Sequence, residues 1–255
     1  MSQKNTEVAI ITGGGRGIGR AIALRMAAET HVLIVGRTER DLTATCRMIR
    51  DAGGYADYVV GDAADPKTAQ SAVMFAKEQG LLIRTLVCNA GIGKSGPIES
   101  FDESRWREIM DVNVNGSFYF IKACLPAMLK AGKGTICLLS SIAGVRGYAY
   151  SAAYTASKHA LIGLARSVAL EHGKHGIVAV PICPGFVESE MTTRTIHSIM
   201  ERSGISEQGA RSRVAHTNPQ RRIIPAEEVA EAVAFVASGK VPSLSGNPLI
   251  LSGGE

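Results

Sequence analysis

The sequence contains no apolar run long enough to cross a bilayer, and no basic-then-apolar leader follows Met1. Its five cysteines are odd in number, are widely scattered and include no Cys-x-x-Cys pair, so neither a disulfide framework nor a zinc site is indicated. Cys88, Cys137 and Cys183 stand within apolar stretches, where cysteine behaves as a small hydrophobe. We therefore expect a soluble protein without a membrane partner, located in the reducing cytoplasm.

Aromatic residues are also scarce, at 5% of the chain, and no basic helix is interleaved with them. This argues against a nucleic-acid partner, although the formal net charge of +5 permits an anionic one. One stretch is crowded with arginines, namely Arg194, Arg202, Arg211, Arg213, Arg221 and Arg222. A phosphate-bearing small molecule would account for the basic character, and a solvated charged face without a partner is the alternative.

Short apolar runs alternate with longer amphipathic runs along almost the whole chain. The predicted strands cover residues 8–12, 31–35, 56–60, 85–88, 135–139, 178–183 and 249–251. The predicted helices cover residues 18–28, 40–52, 68–79, 104–130, 152–172 and 226–237. Continuous β-branched runs separated by helices predict an α/β fold, a doubly wound parallel sheet covered on both faces. No linker divides the chain, so residues 1–255 are assigned to a single domain.

Residues 189–225 interrupt this alternation, because the segment is polar, rich in arginine and without a clean strand pattern. It lies beyond the end of the sixth predicted strand. Ligands of doubly wound sheets bind outside the carboxyl ends of the strands, so this insertion is placed to cover a substrate. A surface helical hairpin or an oligomer contact is the alternative.

A glycine-rich run separates the first predicted strand from the first predicted helix. Its positions are Gly13, Gly15, Arg16, Gly17, Ile18 and Gly19. Glycine permits a tight turn and a close backbone approach, and a helix N-terminus offers free N–H groups to a pyrophosphate. The run therefore predicts the dinucleotide-binding loop of a Rossmann fold at these positions.

Cofactor preference is predicted from the end of the second strand, where NAD enzymes usually place an acid against the ribose 2′-hydroxyl. Here the chain reads Val35-Gly36-Arg37, without that acid. Arg16 lies inside the glycine run, so two guanidiniums could clamp a 2′-phosphate. NADP, used as NADPH, is favoured over NAD, and a surface role for Arg37 is the alternative.

Tyr154 and Lys158 are four residues apart and project from the same face of a predicted helix. The ammonium can lower the pKa of the phenol and make it a usable proton donor. This spacing alone is most often an ordinary helix surface. Together with the glycine run it indicates an oxidoreductase.

Four further segments complete a recognisable pattern. They are Asn89-Ala90-Gly91, the run Val112-Asn113-Val114-Asn115-Gly116, the run Ser140-Ser141-Ile142-Ala143-Gly144, and Pro184-Gly185 with the following Val187 and Ser189. With the glycine run and the Tyr154–Lys158 pair, nearly the whole chain resembles the classical short-chain dehydrogenase/reductase family. Within it, the pattern is most similar to that of bacterial 3-oxoacyl-carrier-protein reductases.

The resemblance implies that hydride passes from a nicotinamide to a carbonyl carbon while Tyr154 gives its proton to the oxygen. Lys158 and the cationic nicotinamide ring would together lower the phenol's pKa, and Lys158 would also bind the nicotinamide ribose. Ser141 would hold the carbonyl oxygen, and Asn113 would position a water that returns a proton through Lys158. Plainer alternatives are a strand-end cap for Ser141, a helix-breaking hydrogen bond for Asn113, and packing or solvation for the Tyr154–Lys158 pair.

The resemblance also implies that Asp62, with Ala63 beside it, bonds the adenine, and a loop cap is the alternative for Asp62. The other cofactor-binding positions it implies are Asn89, Ala90, Gly91, Tyr154, Lys158, Pro184, Gly185, Val187 and Ser189. No metal site is expected, because His172 and His175 have no evident third ligand.

Taken together, these features predict an NADPH-dependent ketoreductase that transfers hydride to a β-keto carbonyl, of a 3-oxoacyl thioester or a similar compound. The arginines that dock an acidic carrier protein in the similar reductases fall at Gly132 and His175, which leaves coenzyme A thioesters and small ketones open. Nearby Lys130, Lys133 and Lys174 could compensate.

Alternative functions are a secondary-alcohol dehydrogenase acting on a small hydroxy compound and a non-catalytic NADP-binding sensor. The sensor ranks low because such proteins commonly lose the phenol or the lysine, and this chain keeps both. The resemblance implies a homotetramer built on the predicted helices 104–130 and 152–172.

Overall fold

The computed structural model describes residues 6–255, within which seven strands form one sheet. The strands are β1 (Glu7–Thr12), β2 (His31–Gly36), β3 (Ala56–Val60), β4 (Leu82–Cys88), β5 (Gly134–Leu139), β6 (Ile177–Pro184) and β7 (Leu249–Leu251). Their order is β3-β2-β1-β4-β5-β6-β7, and every neighbouring pair is parallel. The predicted doubly wound α/β fold is confirmed.

Helices cover both faces of this sheet. They are α1 (Gly17–Met26), α2 (Glu39–Asp51), α3 (Pro66–Glu78), α4 (Glu103–Met110), α5 (Gly116–Lys130), α6 (Ala152–His172), α7 (Glu190–Ser203), α8 (Glu207–Ala215) and α9 (Ala226–Ala237). Alternate strand residues point to opposite faces, so Ile11 packs with α1, α2 and α9, whereas Ile10 packs with α3, α5 and α6. None of the helices within residues 6–255 is long and apolar enough to cross a membrane.

The strand order reverses at β1, which lies between β2 and β4. Because all seven strands of the described region are parallel, the loops that follow β1, β2, β4, β5 and β6 meet at one edge of the sheet. A crevice outside this edge is where doubly wound sheets bind their ligands.

The single helix predicted over residues 104–130 is corrected by the structure. A π-helical turn, Asp111–Asn115, separates α4 from α5. Such turns are frequent at functional sites, and this one places Asn113 in the interior. The start of α5 also lies close to the loop after β3, because a Cβ on Gly116 would be 2.8 Å from the Ala63 carbonyl oxygen.

The 189–225 insertion folds as the helical pair α7 and α8 followed by a loop. The pair has a small apolar cluster of its own, which comprises Ile196, Ala210, Val214 and Ile223. Phe186, which follows β6, packs against this cluster. The insertion is therefore anchored to the end of β6, at the ligand-binding edge of the sheet.

Candidate active site

The glycine loop after β1 has a conformation that two of its glycines make possible. Gly13 has φ +68°, and a Cβ there would lie 2.9 Å from Nδ2 of Asn89. A Cβ on Gly19 would lie only 2.1 Å from the carbonyl oxygen of Gly13. These positions exclude larger residues because α1 packs directly against the loop.

The N-terminus of α1 is free for an anion. Its N-cap residue, Arg16, makes no side-chain capping hydrogen bond, and the first turn contains no acid. Gly17 has φ +52°, and a Cβ there would meet no atom within 4 Å. Gly15 faces the start of α2 instead, and Ile18 packs against the core. Unsatisfied N–H groups beside open space suit a pyrophosphate.

Asn89 fastens the end of β4 to this loop. Its Nδ2 donates to the carbonyl oxygens of Thr12, at 2.9 Å, and Gly13, at 3.3 Å. Thr12 Oγ1 accepts from the N–H groups of Asn89 and Ala90, at 3.0 Å each. The sequence analysis missed this role of Thr12, although its place directly before the glycines was a usable signal.

The two arginines expected to clamp a 2′-phosphate lie at the surface, and each faces an acid. Arg37 follows β2 and lies 3.8 Å from Asp62, and Arg16 forms a 2.8 Å ion pair with Glu190 of α7. Asp62 Oδ1 also accepts from the N–H of Ala64, so its predicted alternative as a loop cap is present in the structure. The contact between the two arginines and a phosphate stays a prediction.

A cleft of about 390 Å³ lies between the loop after β3 and α4. Its lining residues are Arg37, Asp62, Ala64, Ser104, Arg107, Glu108, Asp111 and Val112. The cleft therefore adjoins the predicted adenine side of the cofactor site, and Ala63 is the neighbour of two lining residues.

Tyr154 and Lys158 occupy successive turns at the start of α6. Lys158 Nζ lies 5.5 Å from the centre of the Tyr154 ring and donates to the carbonyl oxygen of Leu139, at the end of β5, over 2.6 Å. Lys158 is 4% exposed. The structure thus brings the predicted pair together at the ligand-binding edge of the sheet, and we call the part of this edge beside β5 and α6 the catalytic edge.

Burial shifts the pKa values of both members of this pair. Burial raises the pKa of the Tyr154 phenol, which a hydrogen bond with Ser141 partly opposes. Burial also lowers the pKa of Lys158 from 10.5 to about 8. The polypeptide alone therefore does not make the phenol more acidic, and a lowering of its pKa by Lys158 together with the cationic nicotinamide ring stays a prediction.

Ser141 stands where β5 gives way to a 3₁₀ turn. Its Oγ accepts from the N–H of Ala143 at 3.1 Å and lies 3.5 Å from the carbonyl oxygen of Pro184. It also bonds the Tyr154 side chain. The Ser141 hydroxyl therefore caps the turn after β5, as the plainer alternative predicts, and also lies beside the Tyr154 phenol.

Asn113 is fully buried in the π-helical turn. Its Oδ1 accepts from the N–H of Ile92 at 2.8 Å, and its Nδ2 donates to the Ile92 carbonyl and to Ser157 Oγ, both at 2.9 Å. A Cβ on Gly91 would lie 3.3 Å from Asn113 Oδ1 and 3.4 Å from Lys158 Nζ. Both hydrogens of the Asn113 side-chain amide are thus used within the protein. The predicted water stays a prediction, and it would have to donate to the second lone pair of Asn113 Oδ1.

Ser157 is a residue that the sequence analysis missed. It is fully buried, and its Oγ donates to the Tyr154 carbonyl at 2.7 Å while accepting from Asn113. Its position directly before Lys158, inside the Tyr-x-x-x-Lys spacing, was the available signal.

The loop after β6 is held by main-chain contacts. Gly185 N–H donates to the Leu251 carbonyl at 2.9 Å, and Val187 forms a bridge with Ile224. Ser189 caps α7, since its Oγ accepts from the N–H of Thr192 at 3.3 Å. The carbonyl of Pro184 brings this loop to Ser141.

The predicted site residues fall into two groups along one edge. Asn113, Ser141, Tyr154 and Lys158 lie together beside the ends of β4, β5 and β6. Arg16, Arg37 and Asp62 lie after the ends of β1, β2 and β3, and the glycine loop with Asn89 joins the groups. In residues 6–255 no cluster of three or more metal-ligating side chains occurs.

The chain is similar to known proteins along nearly its whole length. The family model described as short chain dehydrogenase matches residues 7–199. The short-chain reductase protein NovJ of Streptomyces niveus is 37% identical, over 97% of this chain and 93% of that protein.

Two solved structures share the fold along almost their whole length. A variant of the actinorhodin polyketide ketoreductase with NADPH has a TM-score of 0.95 at 30% identity and covers 99% of this chain and 98% of that one. A gluconate 5-dehydrogenase from Burkholderia cenocepacia, in complex with NADP and tartrate, has a TM-score of 0.88 at 28% identity and covers 98% and 94%.

Proposed function

This chain belongs to the short chain dehydrogenase family, and we propose that its reaction is the NADPH-dependent reduction of a β-keto carbonyl. It is an NAD(P)-dependent oxidoreductase acting on CH–OH groups and their carbonyl counterparts. The observation that carries the proposal is the placement of Lys158 Nζ, 5.5 Å from the centre of the Tyr154 ring and 2.6 Å from the carbonyl oxygen at the end of the strand that Ser141 follows.

The residues present fit NADPH. The free N-terminus of α1 and the open space at Gly17 would hold the pyrophosphate, and Arg16 and Arg37 would bind the 2′-phosphate. The cofactor assignment agrees with the similar structures, which hold NADPH or NADP. When bound, NADPH supplies the hydride. Asp62, Asn89 and the loop after β6 complete the predicted cofactor contacts.

The chain's own residues then handle the carbonyl oxygen. Tyr154 gives its phenolic proton to that oxygen, and Ser141 Oγ, already bonded to the phenol, fixes the oxygen beside it. The hydrogen bond from Lys158 Nζ to the Leu139 carbonyl oxygen fixes the position of the ammonium group. The positive charge of Lys158 is therefore held next to the phenol. Asn113, bonded to Ile92 and Ser157, fixes the main chain on which this arrangement depends.

For the substrate we propose a 3-oxoacyl thioester or a similar β-keto compound. The similarity to the actinorhodin polyketide ketoreductase supports a β-keto substrate. Gly132 and His175 stand where the resemblance places carrier-docking arginines, which favours coenzyme A thioesters or small ketones over a carrier protein. The helical pair of the 189–225 insertion, packed against Phe186, would cover the bound substrate.

The second candidate is a dehydrogenase acting on the secondary alcohol of a small hydroxy compound. It is favoured by the similarity to gluconate 5-dehydrogenase. The two functions differ in the direction of the preferred reaction and in the charge of the substrate.

A substrate panel distinguishes them. Absorbance of NADPH is followed with acetoacetyl-coenzyme A and ethyl acetoacetate, and formation of NADPH from NADP is followed with gluconate. The proposal expects loss of NADPH with the β-keto compounds, abolished by Tyr154→Phe. Activity with gluconate alone would replace the proposal by the second candidate.

We also propose a homotetramer in the cytoplasm. Large apolar side chains on α4, α5 and α6 remain exposed, namely Trp106 at 40%, Phe118 at 45% and Leu170 at 87%. Such a surface suits burial against further copies. All five cysteines are free and buried, which agrees with a reducing compartment. Light scattering coupled to size-exclusion chromatography tests the assembly.

A further inference from the structure

The segment between Ser141 and Tyr154 forms one wall of the catalytic edge and contains little regular structure. Tyr150 has φ +61°, a costly conformation for a bulky residue, and its carbonyl oxygen accepts from the N–H of Gly96 at 2.8 Å. A segment of this kind needs side-chain contacts to keep its shape. Arg146 and Tyr148 supply them.

Arg146 and Tyr148 form a connected cluster with Glu255, in the turn after β7. The Arg146 guanidinium donates to Tyr148 Oη from Nε, at 2.8 Å, and from Nη2, at 2.6 Å. Tyr148 Oη in turn donates to Glu255 Oε1 at 2.8 Å, and Arg146 forms an ion pair with the same carboxylate. Burial and the carboxylate raise the pKa of Tyr148 to about 12, so this phenol stays protonated and remains a hydrogen-bond donor to Glu255.

Glu255 is placed to act on the site. Its side chain is only 8% exposed, and Oε2 is buried without a hydrogen-bond partner in the described part of the chain. A Cβ on Gly185 would lie 3.6 Å from this Oε2. Gly185 directly follows Pro184, whose carbonyl oxygen is 3.5 Å from Ser141 Oγ. The carboxylate is therefore one residue away from the groups that hold the substrate oxygen.

The charges in this cluster are matched. Arg146 is 45% exposed and belongs to the segment that joins Ser141 to Tyr154, so its guanidinium lies at the surface beside the proposed catalytic residues. Because Arg146 is paired with Glu255, the two side chains together carry no net charge that would attract an anionic ligand. Without that carboxylate the same guanidinium would be a binding site for the carboxylate of a keto acid.

We propose that Glu255 is a specificity-determining residue which, by neutralising Arg146, makes the site select β-keto esters, thioesters and ketones over keto acids that carry a free carboxylate beside the reacting carbonyl. Through Tyr148 it also holds the segment between Ser141 and Tyr154 in place. The proposal rests on the proposed function, because it names the charge class of that same site's substrate.

The test uses ethyl acetoacetate and acetoacetate, which carry the same β-keto group and differ in charge. In Glu255→Gln the carboxylate is replaced by a neutral group of equal size, and the ratio of kcat/KM for acetoacetate over the ester should rise about tenfold. In the double variant Arg146→Gln with Glu255→Gln, both charges are gone, and the ratio should return to within about threefold of the unaltered enzyme. Glu231→Gln, which loses an ion pair with Arg25 away from the site, is the matched control.

The ratios measured for the single and double variants decide whether Glu255 acts by neutralising Arg146. An unchanged ratio in Glu255→Gln, or the same ratio in the single and double variants, overturns the proposal, since only charge neutralisation predicts reversal. If the unaltered enzyme reduces neither these two compounds nor acetoacetyl-coenzyme A, the proposed β-keto function fails. The inference is then decided by calorimetric titration of the enzyme–NADP complex with acetoacetate. Glu255→Gln should bind about tenfold more tightly, and equal affinity would refute the inference.

Discussion

The half of the site that we propose for the nucleotide, here the nucleotide half, and the half that we propose for the chemistry, here the catalytic half, are built in different ways. Around β1 and β2, glycines and main-chain groups set the shape, and the side chains of Arg16 and Arg37 are 56% and 62% exposed. Around β5 and α6, Asn113, Ser157 and Lys158 are buried and bonded to other protein groups. Substitutions of the exposed arginines can therefore change the nucleotide preference at little cost in stability. Substitutions of the buried residues in the catalytic half should affect both activity and stability.

Tyr154→Phe separates the two halves most strongly. We expect kcat to fall about 10³-fold, because the general acid is lost, while the Kd for NADPH stays within about twofold. Stopped-flow kinetics and fluorescence titration measure the two quantities. Tyr55→Phe, on the side of the sheet that carries β2 and β3, is the control and should leave both unchanged. Full turnover in Tyr154→Phe would remove this residue from the mechanism.

Asn113→Ala tests whether the catalytic half supports the fold. The substitution leaves the N–H and carbonyl of Ile92 and the Ser157 hydroxyl without their buried partner. We expect the free energy of unfolding to fall by about 3 kcal/mol in denaturant titrations. Asn115→Ala, in the same turn but bonded only to Asp111 at an exposed position, should cost about 0.5 kcal/mol. Equal losses in the two variants would contradict the comparison.

The buried Lys158 predicts a pH dependence of stability. Its pKa is lowered from 10.5 to about 8, so between these values the unfolded state binds more protons than the folded state. The free energy of unfolding should therefore rise with pH through this range, by at most ~1.4 kcal/mol per unit. Below about pH 8 the group is charged in both states and gives no slope.

Lys158→Met provides the comparison for this slope. The difference in unfolding free energy between the unaltered protein and the variant should change with pH only above about pH 8. Tyr154, whose pKa burial raises above 10, opposes the rise in both proteins once its unfolded form begins to ionise. Parallel pH profiles for the two proteins would show that Lys158 is not desolvated.

Arg37→Asp should have the smallest effect on the protein and act on nucleotide choice alone. The carboxylate would repel a 2′-phosphate, so the preference for NADPH over NADH should fall about tenfold. Stability should change by no more than about 0.5 kcal/mol, because Arg37 is exposed. Arg40→Asp, three residues away and 91% exposed, is the control. An unchanged preference in Arg37→Asp would dismiss the clamp.

Much of this arrangement could be predicted from the sequence because it depends on local patterns. The strand 56–60 and the helices 152–172 and 226–237 were predicted with the bounds they have, and the family resemblance is confirmed. Gly13 has a positive φ, and a Cβ on Gly19 would collide with the loop, so both positions require glycine. The glycine run can therefore be recognised from its composition and spacing alone.

Contacts between distant segments could not be predicted in this way. The bonds of Asn113 to Ile92 and Ser157 depend on a π-helical turn that hydrophobic periodicity does not reveal. The lowered pKa of Lys158 follows from burial, which becomes known only when α6 is packed on β5. The pairing of Arg146 with Glu255 joins residues 109 positions apart, so only the fold brings them together.

Transfer of deuterium from NADPH labelled at the reactive nicotinamide carbon tests the central claim most directly. With ethyl acetoacetate, the unaltered enzyme should produce the hydroxy ester carrying the label on the former carbonyl carbon, and Tyr154→Phe should produce almost none. A product without label on that carbon, or equal labelled product from both proteins, would contradict the account.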